Sequence, residues 1–163
     1  ILRPNDYGRL ACLNVIASMQ PIHATSDMFI ADKHWGKRSA GAYALRTQLD
    51  RGARVAFGSD APVESPNPFW GMHAAVTRTR HNGQPGPEGW YPEQRLSLQQ
   101  ALDGYTTGPA FAAGLERRLG QLAPGFYADL IAFDSDPFDL PPAELYTVLP
   151  AATLVAGEWV WQS

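Results

Sequence analysis

Apolar and polar positions along this chain follow two rhythms, and the change falls near residue 115. Before it, short apolar runs bounded by glycine or proline are separated by stretches with helical spacing; after it, short β-like pieces recur. The run Val15–Met19 ends in Gln20-Pro21, and the predicted strand Arg54–Phe57 stops at Gly58-Ser59, with Asp60 following at once. Proline has no amide hydrogen for a ladder, so Pro21 and Pro62 forbid either strand from continuing. Between them the spacing predicts a helix over 40–51, with Tyr43, Ala44 and Thr47 on one side and Gly52 at its end. Two strands joined by a right-handed helical crossover run parallel, which sends His23 and Asp60 out of the same rim of one sheet. Ligands bind at that carboxyl-end rim in open and closed α/β folds alike.

The same reading supplies the other elements. A short helix is expected over 4–12, the first strand over 13–19, and a long loop of functional character over 21–35. Helices are predicted over 69–80, from Ser97 to about Tyr105 with Ser97 and Gln100 as a capping box, and over 109–115. Three glycines and three prolines make 82–92 a loop, expected on the rim of Asp60. Strands are predicted over 129–133, 145–149, 153–156 and 158–161, with Gly157 in a tight turn between the last two and a possible turn at 142–144.

Composition narrows the partners. At 163 residues, 45% hydrophobic and 18% charged, the chain can bury a core as one domain, or one domain and part of another. A formal charge of −3, a pI near 5.7 and no basic stripe exclude a nucleic-acid partner from the expectation. The apolar runs are too short to span a bilayer and no signal-peptide pattern opens the chain, so a cytoplasmic protein without a membrane partner is expected. Cys12, the single cysteine, rules out an internal disulfide framework; Leu10, Ala11 and Leu13 around it predict a buried thiol.

Candidate chemistry centres on Asp60. A carboxylate directly after a buried strand is costly unless something pairs with it, although aspartate also caps turns and helices. Pro62 and Pro66 break the following stretch, so no helix starts at once for Asp60 to cap. His23 alone fits a solvated or structural histidine as well as a functional one, and His34, His73 and His81 read as structural or solvated. The chain holds no HxH, HExxH or CxxC and no glycine-rich phosphate loop. Ser59 lies in Gly58-Ser59-Asp60, which does not match the G-x-S-x-G elbow of a serine nucleophile. Residue by residue, the chain supplies half an active-site rim.

An ordered set of motifs fills in the rest. Gln20-Pro21-Ile22-His23 with Asp27 is followed by Gly58-Ser59-Asp60-Ala61-Pro62-Val63, then Pro66-Asn67-Pro68 and Ala74-Ala75-Val76-Thr77-Arg78. Ala101–Thr106 with Pro109-Ala110, Gly120-Gln121-Leu122 with Gly125, Ala128-Asp129-Leu130 and Leu154–Gly157 complete it. In this order they resemble the carboxyl-terminal part of the amidohydrolase superfamily, nearest the branch of N-substituted formamide deformylase and YtcJ-like proteins. The resemblance implies an α/β fold. Residues 1–115 would be the last two βα units of a metal-dependent (β/α)₈ TIM-type barrel, and residues 116–163 the carboxyl-terminal strands of a small β-sandwich. Val15–Met19 would be the seventh barrel strand and Arg54–Phe57 the eighth. It further implies Asp60 as metal ligand, general base and proton shuttle, His23 as a substrate or oxyanion contact, and Gln20 and Ser59 as substrate-binding residues.

A whole barrel of this kind takes about 250 residues, and the superfamily's earlier metal ligands have no counterpart here. With Ile1 as first residue, the chain reads as a fragment, an incomplete fold inactive by itself. The expected parent is a metal-dependent hydrolase of C–N bonds in amide, formamide or cyclic-amide substrates, holding one or two divalent ions, zinc foremost. The small-molecule substrate is then its ligand, and its protein partner is a second copy or the missing amino-terminal portion. The rival expectation is a non-catalytic binding or assembly module that self-associates through exposed sheet edges.

Overall fold

In the computed structural model, which describes residues 1–163, the chain opens with a 3₁₀ turn at Pro4–Asp6 and α1 (Arg9–Cys12). It then enters β1 (Ala17–Met19), α2 (Pro21–Ser26), α3 (Met28–Trp35), a 3₁₀ segment at Gly36–Gly41, α4 (Leu45–Asp50) and β2 (Val55–Phe57). β1 and β2 pair in parallel, Ala17 opposite Val55 and Met19 opposite Phe57. Both strands therefore end at one level, and the Gly58 amide donates to the Met19 carbonyl at 3.2 Å.

After β2 come α5 (Pro68–Thr77), a 3₁₀ turn at Pro92–Gln94, α6 (Leu98–Tyr105) and α7 (Thr107–Ala112). Every residue of β2 is buried, as in a parallel strand covered on both faces. The covering layer comes very close. A methyl group on Gly108 of α7 would stand 2.2 Å from the Val55 carbonyl oxygen, and one on Gly104 of α6 would stand 2.2 Å from the Phe57 ring. Phe57, Phe69, Met72, Leu45, Leu96 and Val148 anchor the main core; Ala24, Met28, Ala31, Ala42 and Trp90 make a second.

The last third is antiparallel. β3 (Leu130–Ala132), β4 (Ala152–Val155) and β5 (Glu158–Gln162) form a sheet in the order β3-β4-β5, with Leu130 opposite Leu154. Ala156 and Gly157, both at positive φ, make the two-residue hairpin turn between β4 and β5. Phe133 meets Phe69 of α5 edge-to-face at 5.3 Å, joining this sheet to the main core. β5 is exposed along its whole length, Trp159 at 56%. No helix is long and apolar enough to cross a membrane.

Several expectations need correction. The stretch 21–35 is two helices and not a loop: Pro21 occupies the first turn of α2, where its fixed φ and missing amide suit a helix start. The helix expected over 40–51 is interrupted, because Tyr43 sits at φ +50, its carbonyl held by Arg78 and its hydroxyl donated to Asp27. The strand predicted over 145–149 is instead the end of a 3₁₀ segment, Pro142–Thr147. Leu145 and Val148 are both buried at a spacing of three, the 3₁₀ period. The first strand is shorter than expected, and Cys12 is exposed, since four-residue α1 turns Leu10 and not Cys12 toward the core. The capping box at Ser97 and Gln100 forms as predicted.

Candidate active site

The two strand ends deliver the candidate residues. Gln20 takes the N-cap position of α2, half-buried and without a capping side-chain bond, and His23 follows in the first turn. Two hydrogen bonds from Arg80 close the other end of α2: Nε donates to the Thr25 carbonyl at 2.9 Å and Nη2 to the Ser26 carbonyl at 2.8 Å. These are carbonyls of the last helical turn, which lack backbone donors within so short a helix. Arg80 also lies over the Phe29 ring at 5.0 Å. The helix carrying His23 is thereby pinned from the loop after α5.

Asp60 stands at φ +59, a left-handed conformation that aspartate tolerates better than most residues, and the Val63 amide donates to its carbonyl at 2.9 Å. Its side chain does not cap α5. That task falls to Asn67, whose Oδ1 accepts from the Phe69 amide at 2.9 Å. The Asp60 carboxylate turns to α2 instead, Oδ2 lying 3.1 Å from His23 Nε2. Below the loop, the Tyr105 hydroxyl donates to the Gly58 carbonyl at 3.4 Å; burial pushes the phenol's pKa up. Ser59 Oγ accepts from the Ala61 amide at 3.3 Å, which commits it to the turn.

Sequence reasoning missed two further members of the cluster. Glu64 Oε1 lies 4.0 Å from His23 Nδ1, and Ser26 Oγ donates to that same Oε1 at 2.5 Å. Ser26 lies one helical turn beyond His23 on α2, a spacing that places both on one face once the segment is helical. Side-chain exposure is 17% for His23, 21% for Glu64 and 54% for Asp60, so the carboxylate open to solvent is Asp60. The donor chemistry here, carboxylate oxygen and imidazole nitrogen, suits a divalent metal. The number does not: no group of three or more His, Cys, Asp and Glu side chains is placed to hold an ion. These residues fit a share of a metal site.

Beside the cluster, Glu64 and Ser26 also line a cavity of about 270 Å³ whose other walls include Trp70, His73, His81 and Tyr146. His73 is buried against Tyr146, ring to ring at 5.4 Å. Burial, with His81 nearby, pushes the His73 pKa down to about 4. The folded state thus binds this proton only near pH 4, whereas the unfolded chain binds it near 6.5. Stability should therefore fall as pH drops from 6.5 toward 4 and level off below, by on the order of 3 kcal/mol for a full shift of this size. Urea unfolding of wild type and His73→Phe across that range checks this: the difference between the two should shrink as pH falls. A difference independent of pH refutes it. His34 is exposed and joins none of these contacts.

Comparison with known proteins gives a consistent set. The profile of the amidohydrolase family Amidohydro_3 matches residues 1–161. YtcJ of Bacillus subtilis is 31% identical over 155 residues, covering 94% of this chain and 29% of that protein. The N-substituted formamide deformylase of Arthrobacter pascens is 33% identical over 115 residues, 71% of this chain and 20% of the enzyme. The chain thus spans less than a third of the curated relatives it matches. Among solved structures, an uncharacterized metal-dependent hydrolase from Pyrococcus horikoshii superposes with a TM-score of 0.76 at 29% identity, covering 87% of this chain and 29% of that one. Guanine deaminase of Escherichia coli, 18% identical with a TM-score of 0.67, covers 100% of this chain and 38% of its own and shows the shared fold alone.

Proposed function

We propose a function from one premise: this chain belongs to the amidohydrolase family. It forms the carboxyl-terminal part of a hydrolase that cleaves C–N bonds of small amide, formamide or cyclic-amide substrates. Residues 1–115 would supply the last two βα units of the barrel, and 116–163 the strands of the small sandwich. The observation carrying this reading is the His23–Asp60 pair, 3.1 Å apart where the carboxyl ends of β1 and β2 open together.

In this reading Asp60 turns Oδ2 to His23 and keeps Oδ1 for the reaction. The carboxylate accepts a proton from the attacking water and returns it to the leaving nitrogen. His23 steadies the carboxylate through Nε2, and its ring edge is the proposed substrate contact beside the pair. Gln20 borders the same opening and is the proposed substrate contact on the α2 side, with Ser59 across from it shaping the turn. A divalent metal, zinc foremost, would take Asp60 as one ligand and would supply Lewis acidity toward water and the carbonyl. Its other ligands would come from the remaining portion of a protein such as the relatives.

The test is amine release from a panel of N-substituted formamides, linear amides and cyclic amides by the whole metal-loaded protein. Hydrolysis of at least one class is expected. Folded, metal-bound protein inert toward all three overturns the reading. A second reading, an assembly module pairing through β5, draws on that strand's exposure. It predicts a stable oligomer in the same preparation with no hydrolysis.

A further inference from the structure

Glu64 has no part in the proton transfers just described, yet it is the better shielded of the two carboxylates flanking His23. We propose that Glu64, braced by Ser26, is the positioning residue that fixes the His23 ring against Asp60. This rests on the reading of the His23–Asp60 pair as part of a hydrolytic site.

The geometry gives each imidazole nitrogen its own carboxylate: Nε2 faces Asp60 Oδ2 at 3.1 Å and Nδ1 faces Glu64 Oε1 at 4.0 Å. A half-turn of the ring exchanges Nε2 with Cε1 and Nδ1 with Cδ2. The Asp60 hydrogen bond would then be lost to carbon, so that bond selects the ring orientation and Glu64 bounds the ring on its other edge. Asp60, open to solvent, is a loose anchor alone. Glu64 is a firm one, because Ser26 Oγ donates to its Oε1 at 2.5 Å, a charge-assisted bond. Ser26 and His23 share one face of α2, so the brace and the ring it steadies move together. The 4.0 Å separation exceeds a direct hydrogen bond, so Glu64 bounds the ring by its fixed place beside Nδ1, a place set by Ser26 on the same helix.

Glu64→Ala, Glu64→Gln and Ser26→Ala in the whole protein test this with two readouts. The first is steady-state kinetics. E64A is expected to lower kcat about 10–100-fold, the range typical of partners that orient an active-site histidine, while KM stays near wild type. E64Q still accepts from Ser26 and should fall between wild type and E64A, and S26A should show a smaller loss than E64A. The second readout needs no activity: carbethoxylation by diethyl pyrocarbonate, followed residue by residue with mass spectrometry. Freed of its brace, His23 should label severalfold faster in E64A, while exposed His34 and buried His73 label as in wild type. Unchanged His23 labelling and kcat in E64A overturns the proposal, as does E64Q equal to E64A. A parallel rise at His73 would show general loosening and overturns it too. If wild type hydrolyses nothing but the labelling contrast appears, the functional reading fails and the positioning role stands.

Discussion

Replacing Asp60 with asparagine is expected to lower turnover of the whole enzyme by about 10²–10⁴-fold, the usual share of general acid–base catalysis, with folding unchanged. The amide has nearly the shape of the carboxylate and still reaches His23, but it cannot take up a proton at neutral pH. Asparagine also tolerates the left-handed backbone that Asp60 adopts at φ +59. The side chain is more than half exposed, so no core contact is lost. Steady-state kinetics with a parallel thermal melt measures both parts. Turnover near wild type in a folded D60N variant refutes the assignment, and loss of turnover with a lowered melting temperature would place the effect in the fold.

The second large effect is on stability. Arg78 is fully buried at the left-handed end of α5, φ +59. Nε donates to the Trp90 carbonyl at 2.9 Å, Nη1 to the Tyr43 carbonyl at 3.2 Å, and Nη2 has no partner. The group also lies over the Trp90 ring at 5.2 Å. Burial pulls its pKa down to about 10, partly offset by Glu93, so it remains charged at neutral pH. Arg78→Ala leaves the Trp90 carbonyl without a donor, leaves the Tyr43 carbonyl only the Leu45 amide, and opens a void among three segments, an expected cost of about 2–5 kcal/mol. Arg78→Lys should recover little, because one ammonium cannot span carbonyls on two sides as the planar fork does. Urea unfolding of the whole protein reads this; midpoints of both variants equal to wild type would show that the fork is dispensable.

What could be read in advance follows a physical division. β1, β2 and the capping box at Ser97 and Gln100 were legible because local signals, an apolar run ended by glycine or proline and a reciprocal side-chain bond, agree with the tertiary structure. The break at Tyr43 was not. Its backbone is turned by Asp27, sixteen residues before it, and Arg78, thirty-five after it, and no local pattern encodes either contact. At the site, the parallel crossover placed His23 near Asp60 correctly, since topology alone fixes which strand ends open together. Glu64 escaped because its partner, Ser26, is thirty-eight residues away on a helix that the pattern showed as loop. Pro21 both stops β1 and begins α2, and the local pattern displays only the first of these roles.

Arg80 bears on any attempt to re-engineer this rim. A grafted segment in place of residues 79–92 would have to carry a cation of equal reach, because two carbonyls at the far end of the histidine-bearing helix depend on it. Shortening that segment would therefore loosen α2 and with it the His23–Asp60 pair, and libraries built there should hold position 80 constant.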